Sequence, residues 1–504
     1  MDNYDELHII SDLHLGGVKN KEINFQIFNR GARLKNFIDN LSTHRPDEVV
    51  GLVLNGDIVD FLAEPHASYL NTENAIKTLE RIYEDESFSM VWKALENFVS
   101  KERRQLVIVL GNHDLELALP EVKWWLREKL SSGEKLYMSR ITFAMDGAGY
   151  TCEVGSKRVL CLHGNEVDGW NVVDYFALLK VARYLNRGSK PKEWDANAGT
   201  RLVVDVMNSI KRKYPVVDLL KPEIKAVAPI VASLDPSQSD NIFKLVSMYK
   251  RKEADERKIA AELLGVESEQ LGEKDMEACD ELEVLFHETF KELINEDASG
   301  NVDDLIRGAY ENIDKGVDPK KTTASDDTLS WLGDSMERLK GRFNKLKNSF
   351  DKEELLRISL KKILRDDDSF EFTGPDNTFK GLDDKVGLHV HYLVAGHTHL
   401  ARAIRRMGGK SAYYNSGSWI RLIELTDEAL KEEAFKKVYE AFGKSDIRAL
   451  DNCKIPGPDG TVRPLIKDDT SHVVSIICGE VKTYGQLGAV DKNGNIKPVD
   501  GTEY

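Results

Sequence analysis

Short apolar runs alternate with longer amphipathic stretches through the first third of the chain, and each apolar run ends abruptly in polar and glycine residues. Leu7–Ser11 stops at Asp12, and Val49–Leu54 at Asn55-Gly56-Asp57. Leu106–Leu110 stops at Gly111-Asn112-His113-Asp114, and Val159–Leu162 at His163-Gly164. Runs of this length, bounded by turn residues, predict buried strands. Helical periodicity over Phe28–Leu41 and Thr72–Val99 separates the first three strands, an alternation that predicts layered α/β architecture. Polar site residues collect in such folds where strands end and loops begin.

After Gly169 the pattern changes to Lys/Glu-rich helical periodicity, punctuated by Pro215, Pro222, Pro229 and Pro236 and lasting to about residue 365. The acidic stretch Arg365–Gly387 then leads to another strand, Leu388–Ala395, which ends in Gly396-His397-Thr398-His399. Tyr413–Leu425 reads as a further strand around the Asn415–Ser418 turn. Asp427–Phe442 reads as a helix and His472–Leu487 as a hairpin turning at Gly479-Glu480. The chain therefore divides into a first part of an α/β core (1–169), a helical insertion serving as lid or specificity domain (170–387), a second part of the core (388–487) and a polar tail (488–504).

At 504 residues the chain is longer than one hydrophobic core supports, which agrees with a core plus a large insertion. A formal charge of −15 repels polyanions over most of the surface and disfavours long nucleic acids as partners. Cys152, Cys161, Cys279, Cys453 and Cys478 are scattered and contain no C-x-x-C pair, so a reducing cytoplasm is the expected compartment. The acidic start carries no signal-peptide pattern, and no apolar run reaches the ~18 residues of a membrane span.

The strand-end clusters share one chemistry, because carboxylate, imidazole and amide side chains all suit divalent first-row metals. Asp12 and His14 stand two residues apart, a spacing that points both side chains one way in extended backbone. Asp57 follows a glycine that permits a sharp turn, so its carboxylate suits a position between two ions ~3.5–4 Å apart. Asn112, His163, His397 and His399 add neutral donors that leave the ions Lewis acidic. His113 is placed to donate a proton or hydrogen bond to a phosphoryl or leaving oxygen, with Asp114 or Asp60 orienting its ring.

In this order, Asp12-x-His14, Gly56-Asp57-x-x-Asp60, Gly111-Asn112-His113-Asp114, His163-Gly164 and Gly396-His397-x-His399 resemble the calcineurin-like metallophosphoesterase superfamily. The resemblance implies a four-layer α/β fold, a β-sandwich flanked by helices. It assigns one metal to Asp12, His14, Asp57 and His399, and a second to Asp57, Asn112, His163 and His397. It further implies His113 as the phosphate-contacting histidine and in-line attack by a metal-bridging hydroxide. Two divalent ions are the implied cofactors, manganese first, with iron, zinc, magnesium or nickel as alternatives.

Ser11–Leu15 and Gly396–His399 also resemble the UDP-2,3-diacylglucosamine pyrophosphatase branch. That branch carries arginine where this chain has His113, is much shorter and differs after His163, so its substrate is not carried over. The expected function is hydrolysis of a phosphodiester, pyrophosphate or nucleotide-like substrate. A nuclease on DNA or RNA and a non-catalytic scaffold on the same fold are the alternatives. Trp170, Asn171 and Arg183 follow the His163 cluster as candidate substrate contacts. The competing reading makes Trp170 a core anchor beside a capped helix start and the Lys180–Arg183–Arg187 row a solvated face, as it does Lys211–Lys213.

Overall fold

The computed structural model describes residues 2–20, 24–221, 230, 233–235, 351–364, 367–406, 408–457 and 459–504. Two sheets dominate it. The seven-stranded sheet runs, edge to edge, Ile496–Pro498, Thr483–Val490, His472–Cys478, Glu6–Ile10, Val50–Asn55, Arg104–Val109 and Ile141–Ala144. The six-stranded sheet runs Asp2–Tyr4, Tyr150–Val154, Lys157–Cys161, Tyr392–Ala395, Ala412–Ser416 and Ala401–Arg405.

Strand alternation explains how the sheets are layered. Leu7, Ile9, Val53, Val107 and Val109 meet Cys152, Val159, Val394 and Tyr414 of the other sheet in one buried cluster, so the two sheets form a sandwich. Ile10, Leu52, Leu54, Leu106 and Ile108 point the opposite way. They pack under the helices Gly31–Thr43, Ala75–Glu84, Ser89–Ser100 and Pro120–Leu130. On the outer face of the six-stranded sheet, Leu382 and Phe379 of the helix Asn377–Asp383 cover Leu393, Ala395 and Tyr413. Helix, sheet, sheet and helix make the four layers. A further core, around Val216, Leu220, Leu356, Leu360, Ile423, Phe435 and Phe442, joins the start and end of the insertion to the helix Glu432–Phe442.

Several elements differ from the expectation. The Thr72–Val99 pattern is two helices, because Asp85 adopts extended backbone and its side chain takes the amide of Ser87 at 2.8 Å, breaking the helical path. Tyr413–Leu425 is a strand only over Ala412–Ser416, since Gly417 turns left-handed (φ 70°). Beyond Gly488, Ile496–Pro498 adds an edge strand to the seven-stranded sheet. Among the described residues the insertion contributes the helices Tyr175–Asn186, Ala198–Leu202, Asn208–Lys211, Lys352–Ile363 and Asn377–Asp383. The helical reading of 222–229 and 236–350, with Cys279, lies outside the described residues. Among the described residues no helix is long and apolar enough to cross a membrane.

Candidate metal centre

The strands Glu6–Ile10, Val50–Asn55 and Arg104–Val109 are parallel neighbours, so the loops at their C-terminal ends leave the sheet side by side. These loops carry Asp12 and His14, Asp57, and Asn112 with His113. In the facing sheet Lys157–Cys161 and Tyr392–Ala395 are also parallel, and they deliver His163 and then His397 and His399. All seven predicted ligands converge at one end of the sandwich.

The loops reach this point by a route the sequence reading did not anticipate. Asp12 and His14 are not extended but left-handed (φ 55° and 47°), as are Asp57, His397 and His399 (51°, 70° and 63°). Left-handed backbone is costly for residues with a Cβ and persists where surrounding contacts enforce it. The glycines preceding three of the ligands provide room. A Cβ on Gly56 would lie 2.3 Å from His163 Nδ1, one on Gly111 2.2 Å from Asp57 Oδ1, and one on Gly396 2.7 Å from Asp12 Oδ2.

Three groups of side chains each present ligand atoms within 4.8 Å of one another: Asp12, His14 and His399; Asp57, His163 and His397; and His14, Asp60 and His113. Asp57 Oδ2 sits between the first two, 3.7 Å from His14 Nε2 and 3.2 Å from His163 Nε2. His399 Nε2 lies 3.0 Å from His14 Nε2 and 3.5 Å from Asp12 Oδ1. Asn112 Oδ1 and His163 Nε2 are buried and make no hydrogen bond. An orphaned buried amide oxygen, Asn112 Oδ1, on a loop beside these clustered carboxylates and imidazoles is what a cation would satisfy, so the donor set fits divalent metal.

Outer contacts fix most of the rings. Asp60 accepts from His14 Nδ1 at 3.2 Å and from His113 Nδ1 at 3.1 Å. His163 Nδ1 donates to the Asn55 carbonyl at 2.8 Å, and His397 Nε2 to Asp168 Oδ2 at 2.8 Å. Tying one nitrogen leaves the other as a lone pair facing inward. Asp12 Oδ1 and Oδ2 accept the His397 amide at 3.1 and 3.0 Å, and Ser11 Oγ bonds Oδ2 as well. Asn415 Nδ2 supports the histidine loop through Gly396 O (2.7 Å) and Thr398 Oγ1 (3.0 Å).

Electrostatics follow from this crowding. Burial opposes protonation of His163, but the Asp57 carboxylate outweighs it and raises the ring to about 10. Burial likewise opposes His113, while Asp60 and Asp57 raise it to about 9. Burial would raise Asp60 and Asp57, yet the histidines around them hold both below the usual carboxylate range. Asp12 is raised, by burial first. Burial, with Lys221 and His14 adding to it, holds His399 well below the ordinary histidine value.

Other expected residues resolve differently. Asp60 meets the His113 ring; Asp114 does not, and instead accepts the amides of Gly111 (2.7 Å) and Ile58 (2.8 Å), tying two ligand loops together. Asn171 Oδ1 faces Asn112 Nδ2 at 3.4 Å and its Nδ2 donates to Asp168, so it supports ligand loops. Trp170 is buried, Asp174 caps the next helix, and Arg183 is exposed with Lys180 and Arg187. Lys211, read as solvated, is buried and paired with Asp218. Sequence reasoning missed Asp168, Glu166, whose carboxylate takes the amides of His163 and Gly164, and Lys221. Asp168 and Glu166 sit close behind His163, a proximity that was available as a signal. Lys221 gave none.

Residues 7–217 match the family model described as calcineurin-like phosphoesterase. No curated protein matches the chain. The matched stretch contains Asp12, His14, Asp57, Asn112 and His163; His397 and His399 lie beyond it and are joined to them by geometry.

Proposed function

We propose, from a chain whose residues 7–217 carry a calcineurin-like phosphoesterase domain and which is thereby a phosphoester hydrolase, that two divalent cations serve it. The proposed substrate is a phosphodiester, pyrophosphate or nucleotide-like molecule. Asp12, His14, Asp57 and His399 would hold one cation, and Asp57, Asn112, His163 and His397 the other. The observation that carries this reading is the cluster of Asp57, His163 and His397, whose ligand atoms lie within 4.8 Å of one another, together with the buried Asn112 Oδ1, which has no hydrogen-bond partner. Bound there, the cations would neutralise phosphoryl oxygens and activate water for in-line displacement.

The residues of the chain supply the remainder. His113 has its Nδ1 held by Asp60 at 3.1 Å. Its Nε2 would donate to a phosphoryl or leaving oxygen. Asp60 also orients His14, so one carboxylate couples a proposed ligand to the proposed proton donor. Asp168 fixes the His397 ring, and Asp114 keeps the Gly111 and Ile58 loops in register. Manganese is the metal we favour for this mixed oxygen and nitrogen donor set. The free cysteines Cys152, Cys161, Cys453 and Cys478 support a reducing compartment, the cytoplasm.

Hydrolysis of bis-p-nitrophenyl phosphate tests the reading. Protein stripped by chelator should be inactive, regain turnover with manganese, and lose it again as Asp57→Asn. Turnover persisting in the stripped protein would overturn metal dependence.

A further inference from the structure

The side-chain amide of Asn112 can serve a cation in only one of its two orientations. Turned one way it presents an oxygen lone pair; turned the other it presents an NH2 group, which has only donors. Neighbouring hydrogen bonds decide between the two. Asn112 therefore needs a partner that engages its nitrogen end.

Asn171 is that partner, with Oδ1 facing Asn112 Nδ2 at 3.4 Å. Asn171 has the same two choices, and Asp168 removes one of them. A carboxylate oxygen accepts, so the group that meets Asp168 Oδ2 at 2.7 Å is the NH2 of Asn171. Asn171 then turns its oxygen to Asn112, and Asn112 has to answer with its nitrogen. Asn112 Oδ1, buried and without a hydrogen-bond partner, is the end left for a cation. The second Asp168 oxygen takes the Trp170 amide at 2.9 Å, which holds the carboxylate in place.

The backbone around Asn171 is held from two sides. Asn165 Nδ2 donates to the Asn171 carbonyl at 3.1 Å. From the insertion, the Gly199 amide donates to the Trp170 carbonyl at 2.6 Å, and Asn197 Nδ2 to the Val172 carbonyl at 2.8 Å. Gly199, in the helix Ala198–Leu202, approaches so closely that a Cβ there would lie 2.2 Å from Asn171 Oδ1.

Resting on the two-cation reading, we propose that Asn171 is a positioning residue that acts through Asn112. It holds the Asn112 amide with its oxygen available to a cation; Asp168 sets the orientation of Asn171, and Gly199 leaves the room for it. The beginning of the insertion is thereby part of the metal centre's support.

Manganese affinity, measured by competition with a chromogenic chelator, tests the role in two backgrounds. Asn171→Leu should weaken binding about 10–100-fold in the otherwise unsubstituted protein. In Asn112→Asp protein the same change should cost at most about threefold, because a carboxylate offers an oxygen whichever way it turns. Asn171→Ala carries the same expectation and replaces the leucine variant if that does not fold. Gly199→Ala, which places a better helix former in a helix, should also weaken manganese binding by displacing Asn171. No loss in the single Asn171 variants, or an equal loss in both backgrounds, overturns the positioning role. Unchanged affinity in Gly199→Ala overturns the part assigned to the insertion. Fewer than two manganese ions in the unsubstituted protein overturns the two-cation reading itself.

Discussion

Among the nine described non-glycine residues with left-handed backbone, five are Asp12, His14, Asp57, His397 and His399. Each conformation of this kind costs about 1–3 kcal/mol, so the fold accepts strain to aim these side chains. Outer contacts should therefore matter nearly as much as the ligands. Asp168→Asn, which weakens the acceptor on His397, is expected to lower metal affinity about 10–100-fold in a competition titration against a chromogenic chelator. His113→Gln should keep its metal and lose about 10²–10⁴ in kcat, read with bis-p-nitrophenyl phosphate. Glu116 provides a pH signature. Burial raises its carboxyl to about 8, so the neutral form stabilises the fold fully below its ordinary value near 4.5, and that contribution fades as pH rises through 8. Glu116→Gln, which keeps an acceptor for the Asn71 amide, should flatten the dependence of Tm on pH between 5 and 8 and raise Tm at pH 8. The proposed ligands were readable because each belongs to a polar cluster at the end of an apolar run. The sequence hid Lys221 and the pairing of Asp60 with two rings, which depend on contacts between residues 46 to 178 positions apart.

At the level of elements, the parallel strands were legible because both of their faces are buried and they read as continuous apolar runs. Ala401–Arg405 and Tyr150–Val154 were not anticipated, since their sequences mix polar and apolar residues. Pairing with better-marked neighbours recruits them. The glycines before Asp57, Asn112 and His397 have a packing reason, to which Gly56 adds a conformational one. Gly56, at φ 84°, would place a methyl group 2.3 Å from His163 Nδ1. Gly56→Ala should therefore destabilise the fold by at least about 2 kcal/mol in urea unfolding and reduce bound metal, whereas the same change at solvent-facing Gly133 should leave metal content intact.

For the whole molecule, the arrangement explains how a chain interrupted between His163 and His397 still builds one site. Lys157–Cys161 pairs directly with Tyr392–Ala395, so the two core segments close on each other, and the entropic cost of the intervening length grows only slowly. The insertion is thereby free to vary while its ends stay beside the site. Val206, Ile210 and Leu220 of the insertion and Leu356 and Leu360 of its helix Lys352–Ile363 share one core with the helix Glu432–Phe442, which anchors it to the second core segment. The formal charge of −15 adds a long-range preference against polyanions.

The central claim is that ligands from both core segments form one centre for two cations. Elemental analysis of manganese-reloaded, gel-filtered protein tests it most directly. Two ions per chain are predicted for the unsubstituted protein, and fewer for both Asn112→Ala and His397→Ala, one from each segment. A single ion or none in the unsubstituted protein, or two retained in His397→Ala, would contradict the account.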